Sequence, residues 1–238
     1  MMLEKRDIMK KRYIVVLLFS FIIMAFVNMR VIDNTFSIAY NDNSKIIIKD
    51  ENEKIDISKI QEHYSNKDII AYIEIPDVLS APVAQTSNND YYLNHDLYKR
   101  DDIKGSVFLD FRNKLSDRKI LLYGHSGKEK DLPFLPLNNY SEESFYKEHP
   151  YIYLYTTEGK KKYLIFSAYI EDSDYDYVNL NSFSGLSYKE HLIKLKNKSN
   201  YNVDVNIDDN SKVIILQTCS MTNEGLGRYQ IIVGIEKE

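Results

Sequence analysis

The chain predicts a mainly β fold: a closed β-barrel with inserted helices, preceded by an N-terminal transmembrane helix. Three observations predict it. Short apolar runs recur from residue 69 to the end, with turn-forming residues between them. Two or three segments among them carry apolar residues at helical spacing. An apolar stretch near the start, with basic residues before it, is unlike the rest. Many short strands with a few helices are the pattern of a barrel that removes its own edges.

Residues 13–27 are almost continuously apolar, and with flanks to Ile32 the run approaches the ~20 residues needed to cross a bilayer. Lys5, Arg6, Lys10, Lys11 and Arg12 precede it. Positive charge before a span holds the N-terminus in the cytoplasm, so the rest of the chain is exported. A cleaved signal peptide would have an apolar region of about 7–15 residues ending in a small-x-small site. Phe26-Val27-Asn28-Met29 is not such a site, which favours an uncleaved signal anchor. The run is apolar on every face, which argues against a helix packed on a core. The expected organisation is a cytoplasmic tail over 1–12, an anchor over 13–32, a stalk with one helix over 33–67, and a catalytic domain over 68–238. The expected location is the cell membrane, crossed once, with the catalytic domain outside.

Along the body, Ile69–Ile75 reads as a strand ended by Pro76. Short strands are expected at 83–85, 106–109 and 119–123. Ser141 is expected to cap a short helix running towards His149, with Glu142 and Glu143 in its first turn. Tyr151–Thr156, a turn at Glu158-Gly159, and residues 162–170 form a hairpin. A polar loop follows. Tyr188, Leu192 and Leu195 set a helix over 187–198. Strands at 212–218 and 229–235 close the chain.

The composition excludes several functions. The formal net charge of -4 gives no electrostatic footprint for nucleic acid. A single cysteine forbids an internal disulfide and leaves a structural zinc site without a second thiol. In an exported chain that thiol is either inert and buried or reactive. Cys219 follows the run Val213-Ile214-Ile215-Leu216, in Leu216-Gln217-Thr218-Cys219. His125 ends another run in Tyr123-Gly124-His125, and Arg228 precedes Ile231-Ile232-Val233.

A thiol with a pKa of about 8.5 needs a cationic neighbour to act as a thiolate near neutrality. Histidine supplies charge and moves protons. Arginine cannot be a base, so its part is electrostatic, at a developing oxyanion. Each residue alone has an ordinary reading, as a buried small hydrophobe, a turn residue and a solvated strand end. Together and in this order they make a thiol acyl-transfer site. His63, His95, His149 and His191 are read as surface or packing residues. Asp172, Asp174 and Asp176 form a solvated loop run, and no cofactor or metal is expected.

The order His125, Cys219, Arg228 resembles a sortase. Further strings resemble its class B: Asn89-Asp90-Tyr91-Tyr92-Leu93-Asn94-His95, Gly105-Ser106-Val107-Phe108-Leu109-Asp110, and Ile165-Phe166-Ser167-Ala168-Tyr169. The helix expected before the last strands resembles the class B insertion. The resemblance covers the chain from about Ile69 onwards. It departs at Ile215, where the family string Thr-Leu-x-Thr-Cys begins with threonine, and at Ser126-Gly127, where Asn-Met often follows the histidine.

The resemblance implies a sortase β-barrel and a cysteine transpeptidase of the Gram-positive cell surface. Its partners would be exported proteins carrying a C-terminal sorting motif, and an amine of a peptidoglycan cross-bridge or a pilin lysine. Cys219 would attack the motif, Arg228 would stabilise the oxyanion, His125 would move protons, and Asn89 and Leu93 would line the substrate groove. A tethered domain that only binds surface proteins and a simple cysteine peptidase are the alternatives.

Overall fold

The computed structural model describes residues 55–127, 131–171, 185–220 and 229–237, with the backbone alone at 219 and 220. These residues belong to the second of the chain's two compact units, Ile48–Glu238. The expected anchor at 13–32 lies outside them. Among the described residues, no helix is long and apolar enough to cross a membrane.

Eight described strands close a barrel. In chain order they are β1 (Ile69–Ile75), β2 (Leu79–Ala84), β3 (Phe108–Leu109), β4 (Lys119–Ser126), β5 (Tyr151–Thr156), β6 (Gly159–Glu171), β7 (Val213–Ser220) and β8 (Tyr229–Lys237). Around the cylinder they run β1-β2-β3-β4-β7-β8-β6-β5 and return to β1. Most neighbours are antiparallel. The exceptions are β2 with β3, joined through the single pair Ala84↔Phe108, and β4 with β7.

The parallel pair explains its own sequence. Parallel strands are covered on both faces and read as continuous apolar runs, not alternating ones. Ile120, Leu121 and Leu122 on β4 and Ile214, Ile215 and Leu216 on β7 are all buried. Antiparallel β8 supplies Ile231, Ile232 and Val233 from the other side of β7.

Helices close the barrel's outer surface. Helix α1 (Ile57–Tyr64) is capped by Asp56, whose carboxylate accepts from the Ser58 and Lys59 amides. Its Ile57, Ile60 and Tyr64 lie on one face and are buried. Helix α2 (Glu143–Glu148) begins after Glu142, not after the expected Ser141. Ser141 is consumed as the last residue of a 3-10 segment, Leu135–Ser141, and no side chain caps α2. Helix α3 (Tyr188–Asn197) starts where the sequence places it. Ser187 and Glu190 form a reciprocal capping box.

The buried face of α3 is Tyr188, His191, Leu192 and Leu195. Ser167 on β6 donates to the Leu195 carbonyl at 2.7 Å, fixing the helix end to the barrel. His191 Nε2 lies 3.0 Å from the Lys119 ammonium, and both side chains are almost fully buried. Since an ammonium only donates, that nitrogen is the acceptor. The hairpin turn is one residue earlier than expected. Thr156 pairs with Gly159, which has φ 134 and opens β6.

Ser187→Ala removes one half of the capping box. It is expected to lower stability by about 1 kcal/mol, read as a lower denaturant midpoint with an unchanged slope. A change in the slope instead would point to altered compactness and not to the cap.

Candidate functional site

The parallel register runs unbroken from Lys119↔Val213 to Ser126↔Ser220, and it makes His125 and Cys219 Cα partners. Neighbouring strands are about 4.8 Å apart. Two residues far apart in sequence therefore become nearest neighbours across a ladder. Both stand at the C-terminal ends of their strands, where the chain leaves the sheet.

The sequence around His125 fits it closely into this end. A Cβ on Gly124 would lie 2.7 Å from the Phe134 ring, so only glycine admits that ring. Phe134 returns the contact through its amide, which donates to the His125 carbonyl at 2.8 Å. Asn138 donates to the Ser126 hydroxyl at 2.7 Å.

The imidazole is half-buried, and its Nε2 lies 2.7 Å from the Leu93 carbonyl oxygen. A carbonyl oxygen carries no proton, so Nε2 must donate. That fixes the neutral tautomer and leaves Nδ1 as the nitrogen able to take or give a proton. Leu93 closes a 3-10 turn, Tyr91–Leu93. The turn is fixed from below. Gly105 has φ +59, and a Cβ there would lie 2.5 Å from the Tyr92 carbonyl and 2.7 Å from that of Leu93. The Ser106 amide donates to the Tyr92 carbonyl and its hydroxyl to that of His95.

Beside this turn lies a buried carboxylate. Asp110 follows β3 and is 0% exposed. Its Oδ1 accepts from the Arg112 amide and Nε, each at 2.9 Å. Its Oδ2 accepts from Arg112 Nη2 at 2.6 Å, the Tyr123 hydroxyl at 2.9 Å and Asn89 Nδ2 at 3.1 Å. Burial by itself would raise this carboxyl's pKa. The hydrogen bonds from Arg112, Tyr123 and Asn89 outweigh it and hold the group below the usual carboxylate range. Asn89 also accepts the Phe111 amide on Oδ1, so both ends of its amide face the protein.

The structure thus brings His125, Leu93 and the backbone of Cys219 together. It sets Asn89 beside Asp110. Arg228 lies outside the described residues, as does the Asp172, Asp174 and Asp176 run. Thr218 and Gln230 lead into that region: the Gln230 amide donates to the Thr218 hydroxyl at 2.9 Å. Gln217, two residues before Cys219, is 6% exposed, and its Oε1 has no partner among the described residues.

Among the other histidines, His95 stacks on Tyr91 with ring centroids 4.0 Å apart and donates from Nδ1 to the Tyr91 carbonyl. His63 bonds the Tyr98 hydroxyl, and His149 packs on Phe145. Among the described residues, no group of histidine, cysteine and acidic side chains is arranged to hold a metal.

Sequence reasoning assigned nothing to Asp110 or Tyr123. A signal was present, since a charged residue at the end of a buried strand calls for partners. It could not say which partners.

No family model matches the chain. Individual proteins do. The chain is 34% identical over 175 residues to the sortase B of Staphylococcus aureus (strain NCTC 8325 / PS 47), a match spanning 68% of this chain and 71% of that protein. A crystal structure of a sortase B complexed with triglycine superposes with a TM-score of 0.75 at 27% identity, covering 87% of this chain and 99% of the other. A Staphylococcus aureus sortase B–substrate complex superposes with a TM-score of 0.68 at 30% identity, covering 76% and 86%. Agreement at this level, in sequence and in the course of the barrel, has one reading: the chain belongs to the sortase family, class B.

Proposed function

We propose that this chain is a membrane-anchored cysteine transpeptidase. It would cleave a C-terminal sorting motif of other exported proteins and join the new carboxyl end to an amine of the cell wall or of a pilin. Family membership supplies the reaction class, a sortase transpeptidation. The residue-level reading is carried by the parallel register of β4 and β7, with His125 opposite Cys219.

The Cys219 thiolate attacks the peptide carbonyl carbon after a threonine-like residue. A C–S bond forms, and the carbonyl oxygen takes the negative charge. Arg228 offers its planar fork of donors to that oxygen. As the oxyanion collapses, the C–N bond breaks and the departing amine receives a proton from His125 Nδ1. A thioester remains. The incoming amine then attacks it, His125 takes the amine's proton, and the thiolate leaves.

The Leu93 carbonyl serves both halves. It holds Nε2–H, so that Nδ1 is the nitrogen that gives the first proton and takes the second. The sortase B complexed with triglycine supports a glycine amine as the acceptor class, and the substrate complex of the Staphylococcus aureus relative supports a peptide donor. Residues 13–27, almost continuously apolar and preceded by five basic residues, support the anchor.

The test is intact-mass spectrometry with a peptide library carrying threonine at the cleavage position and triglycine as acceptor. Cys219→Ala is expected to abolish the covalent acyl adduct. An adduct that persists in this variant removes Cys219 as the nucleophile. Arg228→Lys keeps charge but loses the fork, and turnover is expected to fall by about 10²-fold or more. Near-parental turnover would take the oxyanion role from Arg228. The full chain is expected to fractionate with membranes, and a chain beginning at Asn41 to stay soluble. A full chain found in the soluble fraction would contradict the uncleaved anchor.

A further inference from the structure

We infer that Asp110 is a positioning residue for the acid–base histidine: from one buried point its carboxylate ties the strand that carries His125 to the turn whose carbonyl holds His125 Nε2. This rests on the proposed reading of His125.

A carboxylate with no exposed surface is expensive to bury, and it persists only when its lone pairs are filled. At Asp110 they are filled by five donor bonds from three parts of the chain. Stability alone does not demand this, since a well-packed apolar group commonly does as well as a buried charge. What an apolar group cannot do is hold three segments in fixed directions.

Two of those segments end at the imidazole. The first is β4. Tyr123, which donates to Oδ2, is two residues before His125 on the same strand, so their side chains share one face of the sheet. The second is the Tyr91–Leu93 turn. Asn89 donates to the same Oδ2 and accepts the Phe111 amide, so the chain entering that turn is held at both ends of one side-chain amide. Leu93 follows four residues later and accepts from His125. The backbone at Gly105 closes the other side of the turn. A closed circuit results: Asp110, Tyr123, β4, His125, the Leu93 carbonyl, the turn, Asn89 and back to Asp110.

The third segment is Arg112, which neutralises the carboxylate and orients it through two nitrogens of one guanidinium. Asp110 forms no hydrogen bond to His125 itself. It is therefore not the third member of a relay and acts through Tyr123 and Asn89. The circuit matters because acid–base transfer needs the imidazole in place to within about 0.5 Å. A misplacement of about 1 Å costs about 10²-fold in rate.

The experiment compares full-length Asp110→Asn, Tyr123→Phe, Asn89→Ala and His125→Ala. Transpeptidation is read with the library peptide that turns over fastest and triglycine as acceptor. The His125 tautomer is read by ¹⁵N NMR without any peptide. Asp110→Asn is expected to lower kcat about 10- to 100-fold, and Tyr123→Phe and Asn89→Ala up to about tenfold, with KM within about twofold of the parent in Asp110→Asn and Tyr123→Phe.

Loosening the Nε2–H bond to Leu93 releases the choice of nitrogen, so the Nδ1–H tautomer of His125 is expected to appear in all three, where the parent holds the Nε2–H form. A purely structural role would move the melting temperature and leave both readings unchanged below it. Unchanged kcat and an unchanged tautomer in folded Tyr123→Phe and Asn89→Ala would overturn the inference, even if Asp110→Asn failed to fold. His125→Ala separates the two levels. If it is inactive while the Asp110 circuit variants behave as the parent, only the positioning role falls. If it retains parental activity, the acid–base reading falls and takes this one with it.

Discussion

The parallel ladder between β4 and β7 is the constraint on which the rest depends. It pairs residues from distant parts of the chain, and it does so by hydrogen bonds along the whole of both strands. A ladder fixes position strictly. Sliding one strand by a residue would exchange which side chains point to each face, and the close packing of Ile120 to Leu122 and Ile214 to Leu216 on both faces forbids that. Once this register is set, the pairing of His125 with Cys219 follows without any specific attraction between them. The barrel core is in this sense the ruler that measures out the site.

A register locates backbones, and catalysis needs a ring plane and a particular nitrogen. The polar surroundings of His125 supply these. Gly124 lets Phe134 close against the strand, and the Phe134 amide pins the His125 carbonyl. The Leu93 oxygen selects the tautomer. Each of these is a close contact that a single added carbon or lost donor would disturb. The apolar core and the polar frame thus divide the work: one brings the elements together, and the other sets angles.

Much of this was legible in the sequence because the core strands are covered on both faces. Uninterrupted apolar runs ending in Tyr-Gly-His and Gln-Thr-Cys marked β4 and β7 and the residues at their tips. The helix α3 was legible from the spacing of Tyr188, Leu192 and Leu195. Its reciprocal Glu190 bond came only with the structure. Elements with weak periodicity were harder. Strand β3 is only Phe108–Leu109, too short to show a period. Strand β2 starts at Leu79, earlier than its reading at 83–85, because Pro82 interrupts the run; β3 joins β2 only at Ala84, so no bond to β3 is lost at the proline. Ser141 has the right chemistry for a cap, and only the preceding 3-10 segment decides that it is used up. Asn89 and Leu93 came from the family resemblance as groove residues. Their bonds to Asp110 and His125 depend on long-range geometry that no local string encodes.

The joint between β2 and β3 has a consequence for how the cylinder breathes. A single residue pair bridges it, so ladder bonding is thinnest there. The Gln85 side chain takes up the slack, donating to the carbonyls of Asp110 at 2.9 Å and Asn113 at 2.8 Å. One flexible amide thus stands in for a missing length of strand. Transient opening of the wall, the kind that lets deuterium reach sheltered amides, should start at this staple and spread last to the β4–β7 side.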